Sequence, residues 1–346
     1  MLLNRLIVIL VLWYIAATAS TANLTFVELN CENLFDCVHD TLKDDYEYCE
    51  DGIKHWNFGK YWRKLNNIGR EIIACGGTGE NYRKPDLVAL VEVENDSVLT
   101  MLTTRSLLRT AHYRYVMTNS DDERGIDVAL LYNPNTFILT ESHSIKVPMG
   151  KDHRPTRDIL YAKGLIADST GVGSTPLHIL VVHAPSRRDG EVASEPFRMI
   201  VSNRLCEISD SIHATDKDAN IIIAGDFNDY HNNKSVRQLT NHGLSNVSTQ
   251  AKGSNGALGT YRYQGEWGSL DQILVSESML QWATHFSCHI NDSAFLLEED
   301  TKYGGVKPRR TFYGPKYDAQ GFSDHLPLVF NMWTTTKQWT SWCYFQ

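Results

Sequence analysis

The chain has 346 residues, 42% of them hydrophobic and 21% charged, a balance that excludes a disordered chain and provides for a sizeable core. Its formal net charge of −8 excludes bulk attraction to polyanions, so a phosphate-bearing ligand would require local basic residues or metal ions. Seven Cys carry neither a CxxC pair nor a His partner at zinc-finger spacing, so no metal signature is expected of them.

Residues 1–22, MLLNRLIVILVLWYIAATASTA, place Arg5 ahead of an apolar run of about a dozen residues and end in small residues, the layout of a secretory signal peptide. Cleavage after Ala19 or Ala22 is expected. The alternative, an uncleaved anchor, is disfavoured because the run is shorter than the ~20 residues that span a bilayer. No later run is long enough either. An exported chain, periplasmic or secreted and without a stable membrane span, follows as the expectation. In that setting Cys31, Cys37 and Cys49 are candidates for disulfide pairing.

Eight segments then read as strands: LTFVEL (24–29), DLVALVEV (86–93), DVALLY (127–132), ILYAKGLIA (159–167), LHILVVH (177–183), NIIIAG (220–225), DQILVS (271–276) and LPLVFNM (326–332). Between them Tyr61, Leu65, Ile68 and Ile72 recur at helical spacing. So do Phe197, Ile200, Val201, Leu205 and Ile208 within 194–213. Sheets covered by helices are expected, in one domain over residues 23–333, with no internal repeat. Residues 334–346, TTTKQWTSWCYFQ, form an aromatic C-terminal extension.

Polar residues gather where several of these strands stop: Asn30, Glu92, His183, and Asp226 with Asn228 in GDFND. One such ending is ordinary turn chemistry, since an Asx turn explains GDFND and SDHLP alike. Several together place the strand ends on one rim, where open sheets usually carry their sites. Carboxylate and amide oxygens without thiolates suit a hard cation such as Mg²⁺, with Mn²⁺ or Ca²⁺ as substitutes, and Glu92 is the leading ligand.

The blocks LNCENLFD, PDLVALVEVEN, RGIDVALLYNP, VVHAPSRR, GDFND, GSLDQILVS and FSDHLPL follow one another in the order of a known signature. On them the chain resembles the endonuclease/exonuclease/phosphatase family, with its pancreatic deoxyribonuclease-like fold, over about residues 24–332. That resemblance implies an α/β (α+β) four-layer sandwich, two packed mixed β-sheets flanked by helices. It implies a metal held by Asn30, directly or through water, by Glu92, and by Asp324, which would either hold the metal or orient His325. Asp226 and Asn228 would position the attacking water or contact phosphate, Asp226 serving as base or as a second metal ligand. His183 and His325 would flank the scissile phosphate, Asp271 would raise the basicity of His325, and Asp127 would do the same for His183.

Arg157 resembles the family's phosphate-contacting Arg, a role suited to a planar guanidinium. Arg187 and Arg188 follow the His183 block, and Arg309 and Arg310 lie in the basic, aromatic loop GGVKPRRTFYGPKY (304–317). A solvated face explains such loops equally well, yet both adjoin the expected site on an acidic protein. The expectation is a monomeric Mg²⁺-dependent endonuclease acting on a phosphate ester, with nucleic acid as substrate. A phosphatase or lipid phosphodiesterase of the same fold, of the inositol-phosphate phosphatase or sphingomyelinase type, is the alternative, and a catalytically inactive binding module the second. His183 stands where abasic-site endonucleases carry Tyr, and WGSLDQIL stands where inositol-phosphatase relatives carry a Trp-Cys-Asp-Arg run.

Overall fold

The computed structural model describes residues 21–77, 82–150, 153–167, 174–188 and 190–335. Most of the expected leader and of the C-terminal extension therefore lies outside the described residues. The first half of the chain runs β1 (Thr21–Leu34), α1 (Phe58–Ala74), β2 (Leu87–Val93), α2 (Asp96–Thr104), β3 (Arg114–Met117), β4 (Asp127–Tyr132), β5 (Phe137–Ile145), β6 (Ile159–Ala167) and β7 (Ser174–His183). The second half runs α3 (Glu191–Thr215), β8 (Ile221–Asp226), α4 (Lys234–Asn241), β9 (Leu244–Asn246), β10 (Tyr261–Tyr263), β11 (Glu266–Gly268), β12 (Asp271–Ser276), α5 (Glu277–Trp282) and β13 (Ala283–Ile290). Two short hairpins, Leu297–Glu299 with Val306–Pro308 and Phe312–Tyr313 with Lys316–Tyr317, precede the last strand, Leu328–Thr335.

Two six-stranded sheets carry the fold. One has the order β13, last strand, β1, β2, β4, β3, and the other β5, β6, β7, β8, β12, β9. Each is mixed, with a single parallel pair at its centre: β1 with β2, and β7 with β8. Phe26, Ala89, Val91, Val128 and Leu130 of the first sheet share a core with Leu160, Ile179, Val181, Ile222, Ala224 and Ile273 of the second. On the outer face of the first sheet Val27, Leu29, Val88 and Leu90 pack with Leu65, Ile68 and Ile72 of α1 and with α2. On the outer face of the second, Leu180, Val182, Ile221 and Ile223 pack with Val201, Leu205 and Ile212 of α3 and with α4.

The result is helix, sheet, sheet, helix: the mixed four-layer α/β arrangement expected. The central strands are buried on both faces, which is why they read as nearly continuous apolar runs. Where each expected helix lies, its apolar stripe is the one predicted, and α1 opens on Asn57, whose side chain accepts from Lys60 N at 3.1 Å. Among the described residues no helix is long and apolar enough to cross a membrane.

Candidate active site

The carboxyl ends of both parallel pairs open onto the same rim, and register fixes which side chains meet there. His183, the last residue of β7, pairs with Asp226, the last of β8, and Asp226 pairs with Asp271, the first of β12. Three neighbouring strands thus present three functional groups side by side. Gly225 makes the close approach possible, because a Cβ there would stand 1.8 Å from the Val182 carbonyl oxygen and its φ is +148°.

The facing sheet supplies Asn30 and Glu92. Along β1 the positions Leu24, Phe26, Glu28 and Asn30 alternate onto the inner face, so the strand turns from apolar to polar as it reaches the rim. Glu92 would follow Val88 and Leu90 outward on a regular strand. Instead it adopts φ +62° at a register irregularity between Val91 and Val93, which hands the outer face to Val93 and frees Glu92 for the rim. Asn33 N donates to its Oε2 at 2.9 Å, leaving Oε1 directed to the cleft.

Glu92 Oε1 and Asp226 Oδ2 each lie 3.8 Å from His183 Nε2, so two carboxylates and an imidazole converge. Asn30 Nδ2 donates to the same Asp226 Oδ2 at 3.1 Å. Asn228 also has positive φ, +49°; its N donates to Asp226 Oδ1 at 2.7 Å and its Nδ2 to the Ala184 carbonyl at 3.1 Å. GDFND is therefore an Asx turn and part of the rim at once. Burial, with the Asp271 charge second, pushes the Asp226 carboxyl up to about 7.

The two histidines are shifted in opposite directions. Burial, reinforced by the Arg157 and Arg124 guanidinium groups, holds His183 well below its usual value. Glu92 and Asp226 approach its Nε2 to 3.8 Å, and its Nδ1 has no hydrogen-bond partner among the described residues. Burial also opposes charge on His325, but the Asp271 carboxylate, hydrogen-bonded at 2.7 Å to Nδ1, outweighs it with help from Asp226 and Asp324 and keeps His325 well above its usual value. Asp271 also accepts from Thr260 Oγ1, and Tyr261 packs on the His325 ring with centroids 4.9 Å apart. Asp127 does not serve His183: its carboxylate accepts from Thr118 Oγ1 and Ser120 N.

Asp324 lines the cleft, with its carboxylate 2.9 Å from Arg310 Nη2; Arg310 Nε also donates to Glu32 Oε1 at 3.1 Å. Arg157 is buried and ties Asp122 to the Ala184 carbonyl while lining the cleft. Arg187 is committed to structure, donating to the Asn228 carbonyl, Asp229 and Asn233. Arg188 is exposed on the lining, whereas Arg309 pairs with Asp318 and does not line the cleft. The cleft, about 1020 Å³, also takes in Arg124, Arg154, Tyr230, Tyr261 and Tyr263, none of them singled out by sequence.

Two further residues escaped the sequence reading. Glu28, fully buried between Asp271 and Asp226, has both carboxyl oxygens without a hydrogen-bond partner, and burial followed by the Asp271 charge raises it well above the usual carboxyl range. A charged residue in the inward series 24, 26, 28, 30 was the available signal. Asp229, in the GDFND turn, is fully buried: Arg198 Nε stands 2.8 Å and Arg187 Nη2 2.9 Å from its Oδ1, and Ser235 Oγ donates to Oδ2 at 2.6 Å.

Asp226, Asp271 and His325 offer ligand atoms within 4.8 Å of one another. Asp271 and His325 already satisfy each other, whereas the oxygens that suit a hard, oxygen-seeking cation are Glu92 Oε1 and Asp226 Oδ2, each 3.8 Å from His183 Nε2.

The whole described domain matches the family model described as the Endonuclease/Exonuclease/phosphatase family, over residues 25–334. The chain belongs to that family. Among solved structures, a member of the endonuclease/exonuclease/phosphatase family from Bacteroides thetaiotaomicron is 14% identical, with a TM-score of 0.58 over 92% of this chain and 98% of that one. A truncated Caenorhabditis elegans TDP2 is 13% identical, TM-score 0.54, over 90% and 98%. A mannosyl-6-phosphatase from Bacteroides thetaiotaomicron is 14% identical, TM-score 0.55, over 89% and 99%. At these identities the likeness is one of fold. Comparison with curated proteins found no match.

Proposed function

We propose that this endonuclease/exonuclease/phosphatase member is an exported, divalent-metal-dependent phosphodiesterase, an endonuclease working with Mg²⁺. The observation that carries the reading is the approach of Glu92 Oε1 and Asp226 Oδ2 to His183 Nε2, 3.8 Å from each, opposite a His325 held by Asp271 at 2.7 Å. The donor set fits a hard cation: Glu92 and Asn30 would hold Mg²⁺, directly or through water, with Asp226 or Asp324 as further ligand. Bound there, it would shield phosphate charge and lower the pKa of water.

The chain's own groups divide the remaining work. Asp226 Oδ2 takes the proton of the attacking water, held in place by Asn30 Nδ2. His183, neutral, offers Nε2 to a phosphate oxygen, and the His325 imidazolium, oriented by Asp271, faces the developing charge on the phosphate. Arg157, Arg188 and Arg124 supply the positive wall that an acidic protein otherwise lacks, and Tyr230, Tyr261 and Tyr263 supply flat surfaces on which bases stack.

A phosphomonoesterase is the second reading, because the fold is shared with a mannosyl-6-phosphatase. A side-by-side assay with plasmid DNA, RNA, bis-p-nitrophenyl phosphate, p-nitrophenyl phosphate, sphingomyelin and phosphoinositides, each with Mg²⁺ and Mn²⁺, separates the two. Cleavage of DNA and of the diester supports the proposal. Turnover confined to monoesters or to lipid would overturn it.

A further inference from the structure

We propose that His39, Asp45 and Cys49 form a second cation site, structural and of the zinc class, in the loop between β1 and α1. One ligand atom from each of the three lies within 4.8 Å of the other two. No sequence motif marks the group, because the carboxylate stands in for the second Cys of a zinc pattern and nothing repeats at CxxC spacing.

The chemistry distinguishes this group from the cleft. An imidazole, a carboxylate and a thiol are a mixed N, O, S set, unsuited to Mg²⁺ or Ca²⁺ and matched to a borderline-soft ion. Zinc bonds of about 2.0–2.3 Å put tetrahedral ligands about 3.4–3.6 Å apart, so His39 Nδ1 and Asp45 Oδ1, which hydrogen-bond each other at closer range, part to admit the ion while the Cys49 sulfur, within 4.8 Å of both, draws in. Asp45 is 3% accessible; His39 Nδ1 contacts its Oδ1, and Asp40 N donates to its Oδ2 at 2.8 Å. Cys49 is 8% accessible and a free thiol, and its sulfur makes no hydrogen bond among the described residues. It is a buried ligand atom, aimed at two others and satisfied by none of them.

The surroundings call for positive charge. After burial, the groups that raise the Cys49 thiol are Asp45, Glu94, Asp36 and the neighbouring Cys37. His39 remains partly open to solvent, which leaves the fourth position to water.

The site would have a definite effect on the cleft. Between His39 and Cys49 lie Lys43, whose Nζ donates to the Ser120 and Asp122 carbonyls at 2.8 Å each, and Asp44, whose N donates to the Glu123 carbonyl at 2.7 Å. Those contacts hold the loop that delivers Asp122 and Arg124 to the cleft. A cation closing residues 39–49 into a ring would brace that rim from behind.

Cobalt(II) tests this in the intact protein, kept reduced. Among the described residues no Cys lines the cleft, so a sulfur-to-cobalt charge-transfer band cannot come from the catalytic centre. We expect such a band in the wild type at about one cobalt per chain, bleached by Zn²⁺ and untouched by Mg²⁺. Cys49→Ser should abolish it, and His39→Ala, at a partly exposed position, should weaken Zn²⁺ binding at least tenfold, while Cys206→Ser should leave it intact. Absence of the band in the wild type, its persistence in Cys49→Ser, unaltered Zn²⁺ binding in His39→Ala, or recovery of a Cys37–Cys49 disulfide from protein isolated from its host would overturn the proposal.

Discussion

Asp226 and Asp271 stand directly opposite each other in the antiparallel register of β8 and β12, with His325 within reach of both. Two carboxyl groups that close, and buried, do not both ionise freely, and Asp226 is the one pushed up to about 7. If Asp226 takes the proton from water, it acts only as the carboxylate, so activity must fall as pH drops through the Asp226 value. A bound cation favours the carboxylate and moves that limb to lower pH. Profiles of kcat/KM against pH at saturating and limiting Mg²⁺ should therefore show acid limbs at different pH, the limiting-metal limb nearer 7. Superimposable limbs would remove Asp226 from the role of base.

The convergence at His183 Nε2 predicts that Glu92→Ala, His183→Ala and His325→Ala each lower turnover of bis-p-nitrophenyl phosphate by roughly 10²–10⁴-fold, the range for groups acting on the reacting atoms. EDTA should abolish activity and Mg²⁺ restore it. Full activity in any of the three variants, or after exhaustive chelation, would refute the assignment.

Asp271 touches His325, not the substrate, and its removal should cost less. Asp271→Asn keeps the shape but withdraws the charge that keeps His325 protonated, and about 10–100-fold is the expected loss for such a supporting group. A merely structural role would leave the pH profile in place; here the His325 limb should shift toward lower pH.

All eight segments that read as strands are strands, and the four missing from the two large sheets, β3, β5, β9 and β13, are their four edges. The reason is physical. Central strands are buried on both faces and advertise themselves as apolar runs, whereas β5 (FILTESHSI) and β13 (ATHFSCHI) are largely exposed and carry polar residues that mask their alternation. In the site, the rim residues were legible because they interrupt core strands. Arg124, Tyr230 and Tyr263 were not, because they arrive on loops whose sequence has no periodicity. The Glu92 irregularity was also hidden, since nothing in VALVEV announces a positive φ.

Asp229 predicts a large stability effect beside the catalytic loop. Removing its carboxylate leaves the Arg198 guanidinium, 1% accessible, without its counter-charge and takes from Arg187 one of its anchors. Breaking one side of a buried pair costs about 3–5 kcal/mol. Asp229→Ala should lower stability by that amount in denaturant titrations, and a loss below ~1 kcal/mol would mean that the pair contributes little.

Glu71 on α1 predicts how stability depends on pH. It is fully buried, and neither carboxyl oxygen has a hydrogen-bond partner; burial raises it to about 8, Lys64 offsetting only part of that. Unfolded, the same group titrates near about 4.3, so between about 4 and 8 the native state holds a proton that the unfolded state has lost. Stability linked to Glu71 is therefore fully present below the unfolded value and is lost as pH rises through about 8. The loss amounts to a few kcal/mol, since each tenfold difference in proton affinity between the folded and unfolded states is worth about 1.4 kcal/mol. Glu71→Gln keeps the size and cannot ionise. Its unfolding free energy should exceed that of the wild type at pH 9 and approach it at pH 5; parallel curves would show that Glu71 titrates alike in both states.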